Sequence, residues 1–146
     1  SWCTLNSGQN NKKWRQDMSG KNELRFIGVV ESSGKLSRVK IFPEFCVGLQ
    51  GLKSFSHVFI LYWLHLRDKE DDRRTLQVVP RRHPGSPQVG VFACRSPSRP
   101  NPIGLCVVEL KKIEDCILLV KGLDALEGSP IIDIKPLLFQ LMRKKR

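Results

Sequence analysis

The chain has 146 residues, 40% hydrophobic and 27% charged, the size and make-up of one folded domain that buries its own core without metal or disulfide support. Its formal charge of +11 favours a polyanionic partner, either nucleic acid or an acidic membrane surface, and says little about fold. No apolar run approaches the ~20 residues that span a bilayer, and residues 1–20 lack the apolar core of a signal peptide.

Residues 1–23 are polar and aperiodic, with only Trp2, Leu5, Trp14 and Met18 as anchors, and form an extension ahead of the folded domain at 24–136. The sequence does not start with methionine, as expected of a fragment or a processed chain. Its basic residues Lys12, Lys13 and Arg15, like Arg143, Lys144, Lys145 and Arg146 in the tail at 137–146, serve equally as solvated ends or as phosphate contacts. Residues 24–30 are rich in β-branched side chains and predict a strand, which Ser32, Ser33 and Gly34 end. The alternation over 37–42 puts Val39 and Ile41 on one face of a half-buried strand that stops at Pro43. Residues 43–52 predict a short helical turn, closed by glycine, of the kind that covers a barrel end.

Residues 55–65 are the most hydrophobic segment, and as a strand they place Phe55, His57, Phe59, Leu61, Trp63 and His65 on one face and Val58, Ile60, Tyr62 and Leu64 on the other. Both faces are apolar, so this strand belongs in the middle of the fold. His57 suits a hydrogen-bonded core position, whereas His65, where the run meets polar sequence, is placed to line a site. The mixed charges of residues 67–74 predict a solvated loop, and strand character resumes at 76–79. Residues 80–87 are a Pro-rich basic loop carrying Arg81, Arg82 and His83.

That loop leads into Gly90-Val-Phe-Ala-Cys-Arg-Ser-Pro-Ser-Arg-Pro-Asn-Pro-Ile-Gly104. Pro97, Pro100 and Pro102 each fix φ, remove a backbone donor and extend the preceding residue, so the segment is a stiff arch between strand-like runs at 90–94 and 104–110. It mounts Arg95, Arg99 and Asn101 on a rigid frame, which lowers the entropy cost of holding an anion or a planar base. A plain surface loop with solvated arginines remains the alternative.

Strands follow at 105–110 and 117–120, joined by a turn at Glu114 and Asp115. An irregular piece at 122–130 has a turn signal at Glu127 and Gly128, and a short strand at 131–136 carries Asp133 and Lys135 on one face. Asp124, Glu127 and Asp133 form an acidic group that suits either a site or turn capping and a surface pair with lysine. Many short strands with turns at roughly ten-residue spacing predict a mainly β domain, a barrel or sandwich. There is no internal repeat, no glycine-rich dinucleotide or phosphate loop and no zinc or Ser-His-Asp spacing. The five cysteines, Cys3, Cys46, Cys94, Cys106 and Cys116, lack a Cys-x-x-Cys pair, which points to reduced thiols in a cytoplasmic setting, with Cys94 and Cys106 as small buried hydrophobes.

Taken together, Phe55-Ser-His-Val58, the arch, and Leu123-Asp-Ala-Leu-Glu-Gly-Ser-Pro-Ile-Ile-Asp-Ile-Lys-Pro136 resemble the TrmO family of S-adenosylmethionine-dependent tRNA methyltransferases over about residues 24–136. The resemblance implies a small β-barrel methyltransferase with short helical covers, not of the Rossmann type. It further implies a homodimer with the cofactor near the subunit boundary, and methyl transfer to the exocyclic nitrogen of threonylcarbamoyladenosine beside the tRNA anticodon. By position it puts cofactor contacts on His65, Leu66, Arg95, Leu105, Asp124, Ala125, Leu126 and Glu127. The sequence departs from the family at residues 32–36, which join two strands almost directly where a longer loop with a Pro-Arg-Gln element is usual. Cys94 stands for a common threonine and Leu137 for a tyrosine, and the C-terminal domain of many bacterial members is absent from the sequence.

A sulfonium leaving group needs no covalent nucleophile, so positioning, able to contribute about 7–11 kcal/mol, carries the expected chemistry. Arg95 is expected to hold a carboxylate or phosphate through its planar fork, and Asp133 to accept the proton of the attacked nitrogen. Arg81, Arg82, Arg99, Asn101 and Lys135 are the expected contacts to the anticodon stem-loop, with no metal and no membrane involved. Two alternatives stay open at this level: a methyltransferase of the same fold on another substrate, and a non-catalytic nucleic-acid-binding barrel.

Overall fold

In the computed structural model, residues 22–81 and 85–138 are described. They contain strands β1 (Gly28–Ser32), β2 (Leu36–Ile41), β3 (His57–Trp63), β4 (Gln77–Val78), β5 (Val89–Gly90), β6 (Ile103–Glu114), β7 (Ile117–Lys121) and β8 (Pro130–Pro136). Alternating apolar residues explain how most of these close on themselves: β1-β2-β7-β6-β3-β8 form a closed barrel, and β4 pairs with β5 as a separate ribbon. The mainly β barrel with short helical covers is therefore the fold found. The covers are helix α1 (Glu70–Arg74) and the 3-10 turns Pro43–Leu49, Leu52–Ser54, His65–Arg67 and Val91–Ala93.

The inward phase of each strand fills the barrel. Val30 faces Val39, Val39 faces Leu118, and Val58 faces Val108, all of them buried together with Ile41, Ile60, Tyr62, Val120 and Ile131. Burial of side chains this size stabilises by about 1.5–3 kcal/mol each relative to exposure. As its apolar faces predict, β3 sits between two neighbours, β6 and β8.

Four expectations change. The first strand begins at Gly28, and residues 22–27 carry no regular structure, with Leu24 and Phe26 exposed, although Phe26 lies 5.9 Å from the Trp63 ring. The charge run at 67–74 is not a solvated loop: its acids Glu70, Asp71 and Asp72 precede Arg73 and Arg74, the order that complements a helix dipole, and it folds as α1. Strand structure before the arch is limited to Val89–Gly90, because the chain turns at Val91–Ala93 with Cys94 N–H donating to Val91 O at 3.4 Å.

The fourth concerns the thiols. Cys46, on the turn that covers one barrel end, is joined to Cys116 in a disulfide, with Cα atoms 5.5 Å apart. The β6–β7 connection is a tight turn with Asp115 and Cys116 at φ 50° and 65°, and it is held to β2 where Ile41 N–H donates to Cys116 O at 2.8 Å. That contact carries Cys116 to the end of β2, close to where the Cys46 turn begins at Pro43, so the two sulfurs meet. Cys94 and Cys106 are free but only half-buried.

Candidate functional site

With three backbone donors lost to proline, the arch is fixed largely by its own side chains and by a few backbone bonds at its feet. Leu64 N–H donates to Pro102 O at 2.7 Å, which ties the end of β3 to the arch's second foot. Inside the arch, Ser98 N–H donates to Ser96 Oγ at 3.2 Å, and Arg99 Nη1 donates to the carbonyls of Cys94 and Ser96 at 3.3 and 3.1 Å. Arg99, expected to meet phosphate, thus braces the loop it stands on. Among the described residues Arg95 is bonded only through Nη1, to Leu105 O on β6 at 3.3 Å.

Tyr62 organises the other side. Its ring lies against Gly104, where a Cβ would stand 2.6 Å from Cε2 of the ring, so only glycine permits the approach. Its hydroxyl donates to Asp124 O at 2.7 Å. Burial pushes the phenol above its ordinary range, the Asp124 carboxylate and Cys106 add to the rise, and Arg95 opposes it. The ring thus lies against Gly104, the neighbour of the Leu105 whose carbonyl Arg95 holds, while its hydroxyl holds the Asp124 backbone. Cys106 Sγ also donates to Gly122 O at 3.2 Å, so β6 and β3 both hold the start of the 122–128 loop. Its far end is pinned by Gly128 N–H to Val30 O at 2.8 Å. Ala125 is buried beneath, leaving Asp124, Leu126 and Glu127 exposed. No ion pair to Asp124 or Glu127 is made by any described residue.

The structure therefore brings Arg95, Leu105 and Asp124 together. His65 and Leu66 lie on the turn after β3, beside the Leu64–Pro102 bond at the arch foot. Asp133 lies on the outer face of β8 opposite Leu61, which is also the register partner of Leu105. Its carboxylate accepts from Ile134 N–H at 2.9 Å and pairs with Lys135 at 3.0 Å, which is the surface pair with lysine rather than a contact to the arch. Asn101 Oδ1 accepts from Arg73 Nη2 at 3.4 Å, Arg81 is exposed, and Arg82 and the basic tail lie outside the described residues.

Two contributors do not stand out in the sequence. Tyr62 reads there as one core residue of a strand face; the available signal is a phenol where Val or Leu suffices, because a buried hydroxyl requires a partner. Asp72 is one of several acids in a charge run. No group of three or more His, Cys, Asp or Glu fit for a metal occurs among the described residues, and no helix among them is long and apolar enough to cross a membrane. A shallow cavity of 230 Å³ lined by Arg38, Lys112, Glu114, Asp115, Ile117 and Leu119 includes no residue of the arch or of the 122–128 loop; Arg38 is paired there with Glu31 and Lys112 with Glu114.

Comparison with known proteins bears on this site. The tRNA-methyltransferase O N-terminal domain matches residues 28–141. A protein of Methanothermobacter thermautotrophicus named a probable S-adenosyl-L-methionine-binding protein is 53% identical over 77% of this chain and 88% of its own length. One of Archaeoglobus fulgidus named an S-adenosyl-L-methionine-binding protein is 50% identical over 77% of this chain and 86% of its own. Among solved structures, TrmO from Pseudomonas aeruginosa superposes with a TM-score of 0.62 at 28% identity, covering 83% of this chain. The chain spans only 58% of that TrmO's length.

Proposed function

Because the chain belongs to the tRNA-methyltransferase O N-terminal domain family, we propose that it is an S-adenosylmethionine-dependent methyltransferase acting on tRNA, at the exocyclic nitrogen of threonylcarbamoyladenosine beside the anticodon. The observation that carries this is that neighbouring points of β3 and β6 hold Arg95 and the Asp124 segment: Arg95 donates to Leu105 O, and the Tyr62 hydroxyl, whose ring lies against Gly104, donates to the Asp124 backbone carbonyl. The donor set fits the cofactor: a methionine end bears a carboxylate and an ammonium, and here Arg95 keeps donors that Leu105 O does not use while Asp124 makes no ion pair with any described residue. When bound, the cofactor supplies a methyl group on a sulfonium.

Arg95 would hold the carboxylate with the N–H groups that Leu105 O does not use. Asp124 and Glu127 would take the ammonium and the sugar hydroxyls, while Leu66, Leu105 and Leu126, all substantially exposed, offer apolar cover together with Ala125 and His65. Asp133 accepts the proton released from the attacked nitrogen, with Lys135 3.0 Å away to steady its charge. Arg81, Arg82 and the basic tail meet the anticodon stem-loop, along with Asn101, Lys135 and whatever donors Arg99 has left. A second copy covers the apolar strip of Leu105 and Val107, each 43% exposed, on the outer face of β6. A tRNA substrate places the chain in the cytoplasm.

Calorimetric titration with S-adenosylmethionine tests the cofactor, and mass spectrometry of tRNA after incubation tests the product. Arg95→Ala should weaken cofactor binding at least tenfold, as loss of a charge-assisted bond worth about 1.5–3 kcal/mol requires. Absence of binding heat for the unmodified protein would sink the proposal. Anticodon stem-loop affinity should fall with salt by a slope of roughly −0.7 per phosphate contact, and sedimentation should show a dimer.

A further inference from the structure

The arch cannot be held as a strand would be, and what holds it from outside is helix α1. Ser98 Oγ donates to Asp72 Oδ1 at 2.5 Å, and Arg67 Nη1 donates to the same carboxylate oxygen at 3.1 Å and to Ser98 Oγ at 3.3 Å. On the other flank Arg73 Nη2 donates to Asn101 Oδ1 at 3.4 Å while Nη1 donates to Asp68 Oδ1 at 2.9 Å, with the guanidinium 5.9 Å from the Trp63 ring. The Asp72 side chain is only 19% exposed, whereas the arginine it pairs with is 44% exposed. Among the described residues Asp72 is the one carboxylate bonded to an arch side chain.

We propose that Asp72 is a positioning residue for the arch, holding Ser98 so that Arg95, three residues earlier on the same stiff frame, keeps its place against β6. The Ser98 hydroxyl first and Arg67 after it hold the carboxyl below its ordinary range, so at neutral pH the clamp is charged and set. Prolines make the frame rigid, and a rigid frame transmits a fixed point at Ser98 to Arg95 where a flexible loop would not. Releasing Asp72 lowers the fraction of molecules with Arg95 in place, and apparent affinity falls by that fraction. The clamp's role toward the cofactor rests on the function proposed above; its role in fixing the arch does not.

The test uses hydrogen exchange on the full chain without cofactor, then calorimetry with S-adenosylmethionine, for the unmodified protein, Asp72→Ala, Asp72→Asn and Ser98→Ala. Exchange over 94–104 should rise at least fivefold in Asp72→Ala and Ser98→Ala while β3 and β8 stay protected, with Asp72→Asn, which keeps an acceptor oxygen, in between. Cofactor affinity should drop about tenfold with turnover at saturation unchanged. Unchanged exchange over 94–104 overturns the positioning role whatever the cofactor result. Raised exchange with unchanged affinity overturns the link to Arg95, and failure of the unmodified protein to bind strikes the proposed function alone. Should Asp72→Ala fail to fold, Ser98→Ala, which removes one hydroxyl, decides.

Discussion

Gly104→Ala is the sharpest probe of how the site is built. The new Cβ would stand 2.6 and 2.9 Å from Cε2 and Cε1 of Tyr62 and closer still to Cζ, and that ring cannot retreat because its hydroxyl is pinned to Asp124 O at 2.7 Å in a buried setting. Overpacking of this kind costs about 1–3 kcal/mol. Gly104 does not have positive φ, so alanine fits the backbone and lowers unfolded-state entropy, a gain of about 0.4–1 kcal/mol. The net loss is about 1 kcal/mol, or about 4 °C in Tm for a domain this size. Urea unfolding of a double-mutant cycle with Tyr62→Leu separates the two effects. Leucine lacks the clashing atoms, so in the Tyr62→Leu background Gly104→Ala should become neutral or stabilising. A penalty that persists unchanged in that background, or no penalty in the parent chain, would refute the close-approach argument.

Tyr62 also sets an alkaline limit. Its folded pKa lies above the ordinary 10.0, so the neutral phenol stabilises the fold fully below that value and the contribution is lost as pH rises through the folded pKa. With Asp124, Cys106 and Arg95 the groups that face it, Tyr62→Phe should lose that part of the alkaline slope and cost about 0.5–1.5 kcal/mol at neutral pH, as pH-dependent melts would read. Reducing Cys46–Cys116, which spans 70 residues, should lower stability by about 2–4 kcal/mol in denaturant titration, with a Cys46→Ser/Cys116→Ser variant insensitive to dithiol. Asp133→Asn should abolish turnover with cofactor affinity nearly intact; retained turnover removes Asp133 as the proton acceptor.

The barrel was legible because its signal is local. Val39 and Ile41, or Val58 and Ile60, repeat with the strand's own period, and burial follows that period directly. The arch was legible for a similar reason, since three prolines act on the backbone wherever they occur. Partnership is not local. Nothing within residues 67–74 says that Asp72 meets Ser98, 26 positions away, or that Arg73 meets Asn101, 28 away. A run of mixed charge carries the same composition whether it is solvated or clamped. The disulfide was invisible likewise, because Cys46 and Cys116 lie 70 residues apart and only closure of the barrel brings their two turns to one end.

Why the site lies where it does follows from the longest strand. β6 pairs with β3 from Ile103 to Glu109 but with β7 only from Glu109 to Glu114, so over its first half the edge away from β3 has no strand beside it among the described residues. An open edge exposes backbone polar groups and invites other partners. Here the Leu105 carbonyl of that edge takes a side chain, Arg95, and beside it the Cys106 side chain reaches from β6 to hold Gly122 O of the next loop. The arch and the 122–128 loop are thus drawn to the same gap in the barrel's ladder from opposite ends of β6. A cation and an anion come with them, on frames stiffened by proline in one case and by the Tyr62 hydroxyl in the other. A seventh strand filling that gap would satisfy the edge equally well and leave Arg95 and the Asp124 segment apart, so the incomplete pairing of β6 is what brings the candidate site together at this barrel end.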